Sequence, residues 1–416
     1  MRRVIELLRR ASVIAVSLLA VLGMAMPPKQ LIPPQQIVPE TDFGMQIHGI
    51  EIPRPNTGKV TPWPSVRFAA WRLHDAGVTW RDLEPKKGEF QFARLDRYVA
   101  LAEQKHVAVL LPLVSTPAWA SSRPHEDLRN TPKGSAAEPL QAEDWRNFVR
   151  TVVERYRGRI EAYEIWNEPN VRMFWTGSVD QLVALTRDAY RIIKGIDAAA
   201  LVVLPSATTE TGPQYLDAFL RRGGAQYGDV VGYHFYVHAN PPEAMAAVAE
   251  RVKSVLRANN VNKSIWNTEA GWDQPRPFPS DELAAAYVAR SYLLLWASGV
   301  TRSYWYAWDN HGWVSLEMTE SDNVTLKPAA KAYATIEHWL TGAAMRSCKS
   351  DAAGNWVCEL ERDRTREWII WNSERQGQFS IPADWRITHT VSLLGPEQRV
   401  GGMVQIGPCP MLLEPS

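Results

Sequence analysis

Two glutamates stand out by their surroundings and spacing. Glu168 lies in Tyr163-Glu164-Ile165-Trp166-Asn167-Glu168-Pro169-Asn170, and Glu269 in Ile265-Trp266-Asn267-Thr268-Glu269-Ala270-Gly271-Trp272. Each stretch reads as a short β-branched or aromatic strand running into a polar loop. Pro169 ends further strand pairing and leaves the Glu168 carboxylate at the strand end. Two facing carboxylates can cleave a glycosidic bond. One protonates the leaving oxygen, and the other attacks the anomeric carbon or activates water. In the retaining variant the two lie about 5–5.5 Å apart. A negative Glu269 would keep Glu168 protonated as the acid. Once Glu269 carries the sugar, that repulsion is gone and Glu168 can ionise to act as base. Asn167 is placed to bond the sugar 2-hydroxyl.

Elements must bring these two groups together. Eight strand-like runs are read at residues 43–48, 70–74, 107–114, 160–166, 201–205, 230–236, 264–268 and 302–307. Amphipathic helical runs fall between most of them, at 95–105, 141–156, 179–194, 243–257, 284–297 and 329–340. Ser178 and Ser280 sit at N-cap positions, and Gly158 and Gly299 lie just past helix ends. This alternation predicts an α/β fold, a (β/α)₈ TIM barrel spanning residues 41–344. A doubly wound sheet is the alternative, but no glycine-rich phosphate loop follows the first strand. Glu168 and Glu269 end the fourth and seventh strands, three βα units apart at about 34 residues each, close to the roughly 30-residue unit of such barrels. Both therefore belong to the C-terminal face, where barrel active sites form.

The same placement nominates neighbours. His234 and Tyr236 share one face of the sixth strand. A tyrosine there can bond the nucleophile, and a histidine can orient it or touch sugar hydroxyls; a satisfied polar layer in the barrel is the alternative. Arg72 on the second strand is expected to hold Glu269 ionised, or else to join a structural ion pair. His48 ends the first strand. Glu164 lies nearer the start of its strand and reads as structural. The chain holds 18 tryptophans. Trp308, nearest the barrel mouth, is the expected sugar platform, and Trp305 the expected core residue of that pair. Trp119, Trp175, Trp272 and Trp313 fall in strand-end loops and are candidates for flanking subsites.

These segments together resemble the acid/base and nucleophile motifs of clan A glycoside hydrolases. They are most similar to family 39 and its exopolysaccharide-associated bacterial endoglycosidases. The resemblance extends to Ala76-Gly77-Val78-Thr79-Trp80-Arg81-Asp82-Leu83-Glu84-Pro85 with Gly88-Glu89-Phe90, to Thr116-Pro117-Ala118-Trp119, and to Tyr304-Trp305-Tyr306-Ala307-Trp308-Asp309-Asn310. It implies a (β/α)₈ fold, a retaining mechanism, no cofactor, Glu168 as acid/base and Glu269 as nucleophile. The implied partner is a polysaccharide or oligosaccharide, with a bacterial exopolysaccharide favoured and endo action expected. A non-catalytic polysaccharide-binding scaffold and a transglycosylase stay open.

Helical periodicity stops near residue 345. Strand-like runs at 356–360, 367–371, 388–394 and 411–413 then suggest a small β-sandwich-like domain over residues 345–416, packed on the barrel. Its Trp356, Trp368, Trp371 and Trp385 read as core. Cys348 and Cys358 flank a hairpin turn and could form a disulfide or remain two buried thiols; Cys409 is left over. No Cys/His spacing suggests a metal site. A net charge of +1 argues against a nucleic-acid partner. Arg2, Arg3, Arg9 and Arg10 precede an apolar run over residues 11–26, which reads as a signal peptide or a short membrane anchor. Membrane association is expected through that segment only, and the body is expected in the periplasm or secreted. Residues 27–40, rich in Pro and Gln, are expected as an extended linker.

Overall fold

The computed structural model describes residues 29–54, 58–129 and 131–415. The expected signal or anchor at residues 1–26 lies outside them. The first short strand, β1 (Gln30–Leu31), precedes the barrel. The barrel strands are β2 (Phe43–Gln46), β3 (Ala70–Arg72), β4 (Ala108–Leu113), β5 (Ala162–Ile165), β6 (Leu201–Val203), β7 (Ala207–Thr208), β8 (Val231–His234), β9 (Ile265–Ala270) and β10 (Val300–Trp305). They form one parallel sheet in the order β6-β5-β4-β3-β2-β10-β9-β8-β7. β6 and β7 are two halves of the fifth barrel strand, broken around Pro205. The first half pairs with β5 and the second with β8. A parallel bridge from Val203 to Val230 closes the ring. Strands buried on both faces need apolar side chains throughout, and β2, β4, β5, β8 and β9 are almost wholly buried.

The barrel interior is layered. At the N-terminal end Ala70, Leu110, Ala162, Val203, Trp266 and Tyr304 pack together. Period-2 alternation then brings Arg72, Glu164 and Thr268 inward one layer higher. That layer is polar and buried.

Outside the strands run helices Ala93–Lys105, Ala142–Arg155, Val179–Ile196, Gly212–Arg221, Glu243–Ala258, Asp281–Ala297 and Pro328–Leu340. Ser178 and Ser280 cap theirs, accepting from the backbone N–H of Gln181 and Leu283. The helices Gly212–Arg221 and Trp80–Leu83 were not foreseen. Gly212-Pro213 reads locally as a turn, yet Pro is favoured in the first helical turn, where its missing N–H costs nothing.

The C-terminal strands are β11 (Ala344–Ser350), β12 (Asn355–Arg362), β13 (Thr365–Asn372), β14 (Gly377–Ser380), β15 (Ile387–Ser392), β16 (Glu397–Arg399), β17 (Met403–Ile406) and β18 (Met411–Pro415). They build an antiparallel sheet, β1-β11-β12-β13-β18-β15-β16, and a two-stranded β14-β17 ribbon. Trp356 stacks on Trp371, and Trp368 on Trp385. The Trp371 indole N–H also donates to Glu243 Oε1 at 3.0 Å, on a barrel helix where Glu243 pairs with buried Arg290. Cys348 and Cys358 face each other across β11 and β12 and are joined by a disulfide.

Residues 29–38 are extended, as the linker reading expects, but they are not a free spacer. β1 pairs with β11, Ile37 bridges to Ala344, and Val38 N donates to Ala343 O at 2.8 Å. The edge of β11 offers unpaired backbone groups, and this segment satisfies them.

Candidate active site

The C-terminal ends of the barrel strands frame a cleft of about 780 Å³. Glu168 and Glu269 both line it. Oxygens of the two carboxylates and a ring nitrogen of His234 all lie within 4.8 Å of one another.

Neither glutamate arrives by simple strand alternation. After β5 the chain turns through Trp166 and Glu168, both left-handed at φ 72° and 42°. Such φ values are strained for residues other than glycine and are held only by their surroundings. Here the Glu168 N–H donates to Ser206 O at 2.9 Å, fixing the turn against the broken fifth strand. On β9 the register with β8 slips by one residue between Tyr233 and His234. Thr268 bonds Ser206 inside the barrel at 2.8 Å, and the bulge turns the next residue, Glu269, inward as well.

The two carboxylates have different company. Glu269 accepts from Arg72 Nη1 at 2.6 Å and from the Tyr236 hydroxyl at 2.9 Å. Arg72 is fully buried and also donates to Glu164 at 2.7 Å, Gln46 at 2.9 Å and Asn167 at 2.7 Å. Burial works against the Arg72 charge, but Glu164 and Glu269 outweigh it and raise its pKa. Burial likewise opposes ionisation of Glu164, yet Arg72 and the Ser206 hydroxyl hold its carboxyl below the ordinary value. Glu168, by contrast, meets His234, whose Nδ1 lies 2.8 Å from its Oε1, and the Thr208 side chain. Burial pushes Glu168 up to about 7, against smaller opposing effects of Thr208, His74 and Arg72. Repulsion from Glu269 is the cause expected from the sequence. Desolvation leads instead, because Arg72 already matches the Glu269 charge. Burial also drives His234 down to about 4, so its ring is neutral near pH 7.

The expected neighbours fall into two groups. Asn167, Tyr236 and the two glutamates line the cleft. Arg72 and His234 lie directly beneath, each bonded to one glutamate. His48 is buried too, with Nδ1 2.7 Å from Asp309, which also accepts from the backbone N–H groups of His48 and Gly49 and from Thr61. Trp308 is not a platform. It is 1% exposed and packs under the rim. Trp305 and Trp272 are buried and stack on each other. Trp175 is buried against Trp166, and half-buried Trp119 packs edge-on to Trp80. None of these five lines the cleft; the loops at the mouth need large apolar side chains beneath them, and these indoles fill that space. Trp313 alone of the loop tryptophans named lines the cleft, 56% exposed.

Sequence reasoning missed His74, Asp75, Phe174, Tyr306 and Asn310, which line the cleft as well. His74 carried a usable signal: it follows Arg72 by two along one strand. Tyr306 follows inward-facing Tyr304 by two and carried the same signal, whereas Asp75, Phe174 and Asn310 sit on loops without periodicity.

Glu168, His234 and Glu269 are the one group of at least three His, Cys or acidic side chains, among the described residues, able to converge on a metal ion. The Arg72 guanidinium on Glu269 repels a cation at that point.

The chain is similar to known proteins at two levels. In sequence it is 26% identical over 253 residues to a β-xylosidase of Caldicellulosiruptor saccharolyticus, covering 55% of this chain and 50% of that one. The chain thus spans about half the length of that curated relative. In structure it is similar to a glucosidase of Croceicoccus marinus (TM-score 0.64, 14% identity, covering 93% of this chain and 98% of the other). It is also similar to a monomeric β-xylosidase of Caulobacter crescentus (TM-score 0.58, 16% identity, covering 84% and 90%). At these identities the structural likeness speaks for the fold, a TIM barrel with an appended β domain. Residues 56–308 match the model of glycosyl hydrolases family 39, a stretch that holds both cleft glutamates, and the chain belongs to that family.

Proposed function

We propose that this protein is a retaining glycoside hydrolase in which Glu269 is the nucleophile and Glu168 the acid/base. The observation that carries this is the pair of carboxylates within 4.8 Å, one bonded by Arg72 and Tyr236, the other buried and pushed up to about 7. Ionised Glu269 attacks the anomeric carbon as the glycosidic C–O bond breaks. The Glu168 proton goes to the leaving oxygen. Water then gives a proton to Glu168 while its oxygen attacks the same carbon, and Glu269 leaves as carboxylate. His234 holds the Glu168 carboxyl in place throughout, and Asn167, fixed by Arg72, faces the sugar 2-hydroxyl.

The substrate in this reading is a bacterial exopolysaccharide cut within the chain, outside the cytoplasm. Three features support it: the apolar run behind four arginines at the N-terminus, a cleft large enough for more than one sugar ring, and exposed Trp313 at its rim. The test incubates the protein with a panel of exopolysaccharides and aryl glycosides beside Glu168→Gln and Glu269→Gln. Fragments of intermediate length, released with retained anomeric configuration by the parent only, are expected. Inverted product, or unchanged turnover by Glu269→Gln, overturns the mechanism; release of single sugars overturns endo action.

A further inference from the structure

Asp75 follows the second barrel strand and lines the cleft, its side chain 44% exposed. Its backbone is left-handed, φ 56°, a strained setting for an aspartate. One of its oxygens is committed. The Tyr306 hydroxyl donates to Asp75 Oδ2 at 3.3 Å, and Asn310 Nδ2 donates to that hydroxyl. Arg54 Nη1 in turn reaches Asn310 Oδ1 at 3.4 Å. A directional chain from Arg54 through Asn310 and Tyr306 therefore orients the carboxylate. No side chain among the described residues bonds its Oδ1.

Two buried imidazole nitrogens flank the same carboxylate without partners, His74 Nδ1 at 3.5 Å and His48 Nε2 at 3.9 Å. Buried polar atoms are normally satisfied, and orphaned ones need a reason such as an absent ligand. His48 Nδ1 is engaged by Asp309 at 2.7 Å, so Nε2 is the ring nitrogen left to meet a ligand hydroxyl. His74 Nδ1 also lies 3.8 Å from Glu269 Oε2, which puts this cluster within one sugar ring of the nucleophile. Desolvation by the surrounding protein works against the Asp75 charge, but His74, His48, Arg54 and Arg72 outweigh it and hold its carboxyl below the ordinary range.

We propose that Asp75 determines which sugar the cleavage subsite accepts: with His48 and His74 it reads the hydroxyls of a neutral pyranose and excludes a uronic acid. A free carboxylate oxygen accepts a hydrogen bond from one hydroxyl, and an imidazole nitrogen bonds the hydroxyl on the adjacent carbon. A sugar carboxylate in the same place would face both Asp75 and Glu269.

The inference rests on the retaining reading, so the test separates the two. Activated 2-deoxy-2-fluoro glycosides of xylose, glucose, galactose, mannose and glucuronic acid, in both anomers, are incubated with the parent, Asp75→Asn and Asp75→Ser. Labelling of Glu269 is followed by mass spectrometry, and thermal denaturation checks that the variants fold. The parent is expected to be labelled by at least one neutral sugar more than tenfold faster than by the glucuronide. Both variants should label about 10- to 100-fold more slowly with that sugar, as loss of a charged hydrogen bond implies. Their preference over the glucuronide should collapse, a change that a structural role alone would not produce. Glucuronide labelling as fast as any neutral sugar overturns the inference. So does unchanged selectivity in folded variants, or absence of neutral labelling while polysaccharide is still cleaved. Absence of both labelling and cleavage with the parent removes the retaining reading, and this inference with it.

Discussion

Glu168 and Glu269 are the same residue type at the ends of two strands of one barrel, yet their surroundings are opposite. Around Glu269 the fold supplies donors: Arg72 and Tyr236, with Arg72 itself clamped by Glu164, Gln46 and Asn167. Around Glu168 it supplies desolvation and a neutral histidine. Donors favour the charged form and burial favours the neutral one. In the proposed mechanism, environment assigns the acid and the nucleophile, and that assignment can be broken one neighbour at a time.

The largest effect is expected from Glu269→Ala, which should lower kcat by more than about 10⁴-fold, as loss of a nucleophilic unit does elsewhere. Azide should restore turnover with the opposite anomeric configuration in the product. Glu168→Gln should cost about 10²–10⁴-fold, the usual range for general acid–base catalysis. That loss should shrink on substrates whose leaving group needs no proton. Arg72→Met should cost about 10²–10³-fold in kcat, like loss of one preorganised electrostatic contact. It also leaves buried Glu164 unpaired, and urea unfolding should show about 3–5 kcal/mol of lost stability.

The contrast also predicts pH behaviour. Since the proposed acid Glu168 acts in its protonated form, kcat/KM should fall as pH rises through about 7. The raised folded-state pKa means that its contribution to stability is fully present below the ordinary glutamate value. That contribution is lost as pH rises through about 7. Glu168→Gln should therefore match the parent in stability near pH 4 and exceed it by up to about 3 kcal/mol at pH 8. The smallest effect belongs to the rim: Trp313→Ala should raise KM for the polymer and leave aryl-glycoside turnover unchanged.

Much of the fold was legible because it depends on local pattern. The eight strands and six long helices follow from β-branched runs and 3.6-residue periodicity, and the short helix at Gly212-Pro213 was hidden behind residues that also make turns. In the β domain the runs with strong alternation were readable. β11, β14, β16 and β17 carry weaker patterns: β11 and β16 exist by hairpin pairing with β12 and β15, and β14 and β17 by pairing with each other across β15 and β16. The tryptophans mark the limit of this approach. Type and position alone could not separate Trp308, sealed under the rim, from Trp313, open to the cleft, because a rim indole is decided by which loop folds over it.

The sequence by itself determined the barrel, the two glutamates, and Arg72, His234 and Tyr236 as their companions, since strand periodicity and position at a strand end carry that information. Tertiary structure alone decided how the carboxylates meet. Bulging at Thr268 and the left-handed turns at Trp166 and Glu168 are set by pairing between distant strands. It also decided what separates the two chemically, because desolvation is a property of everything packed around a group. The orientation of Asp75 comes from Arg54, Asn310 and Tyr306, side chains on two loops that meet only when the barrel closes.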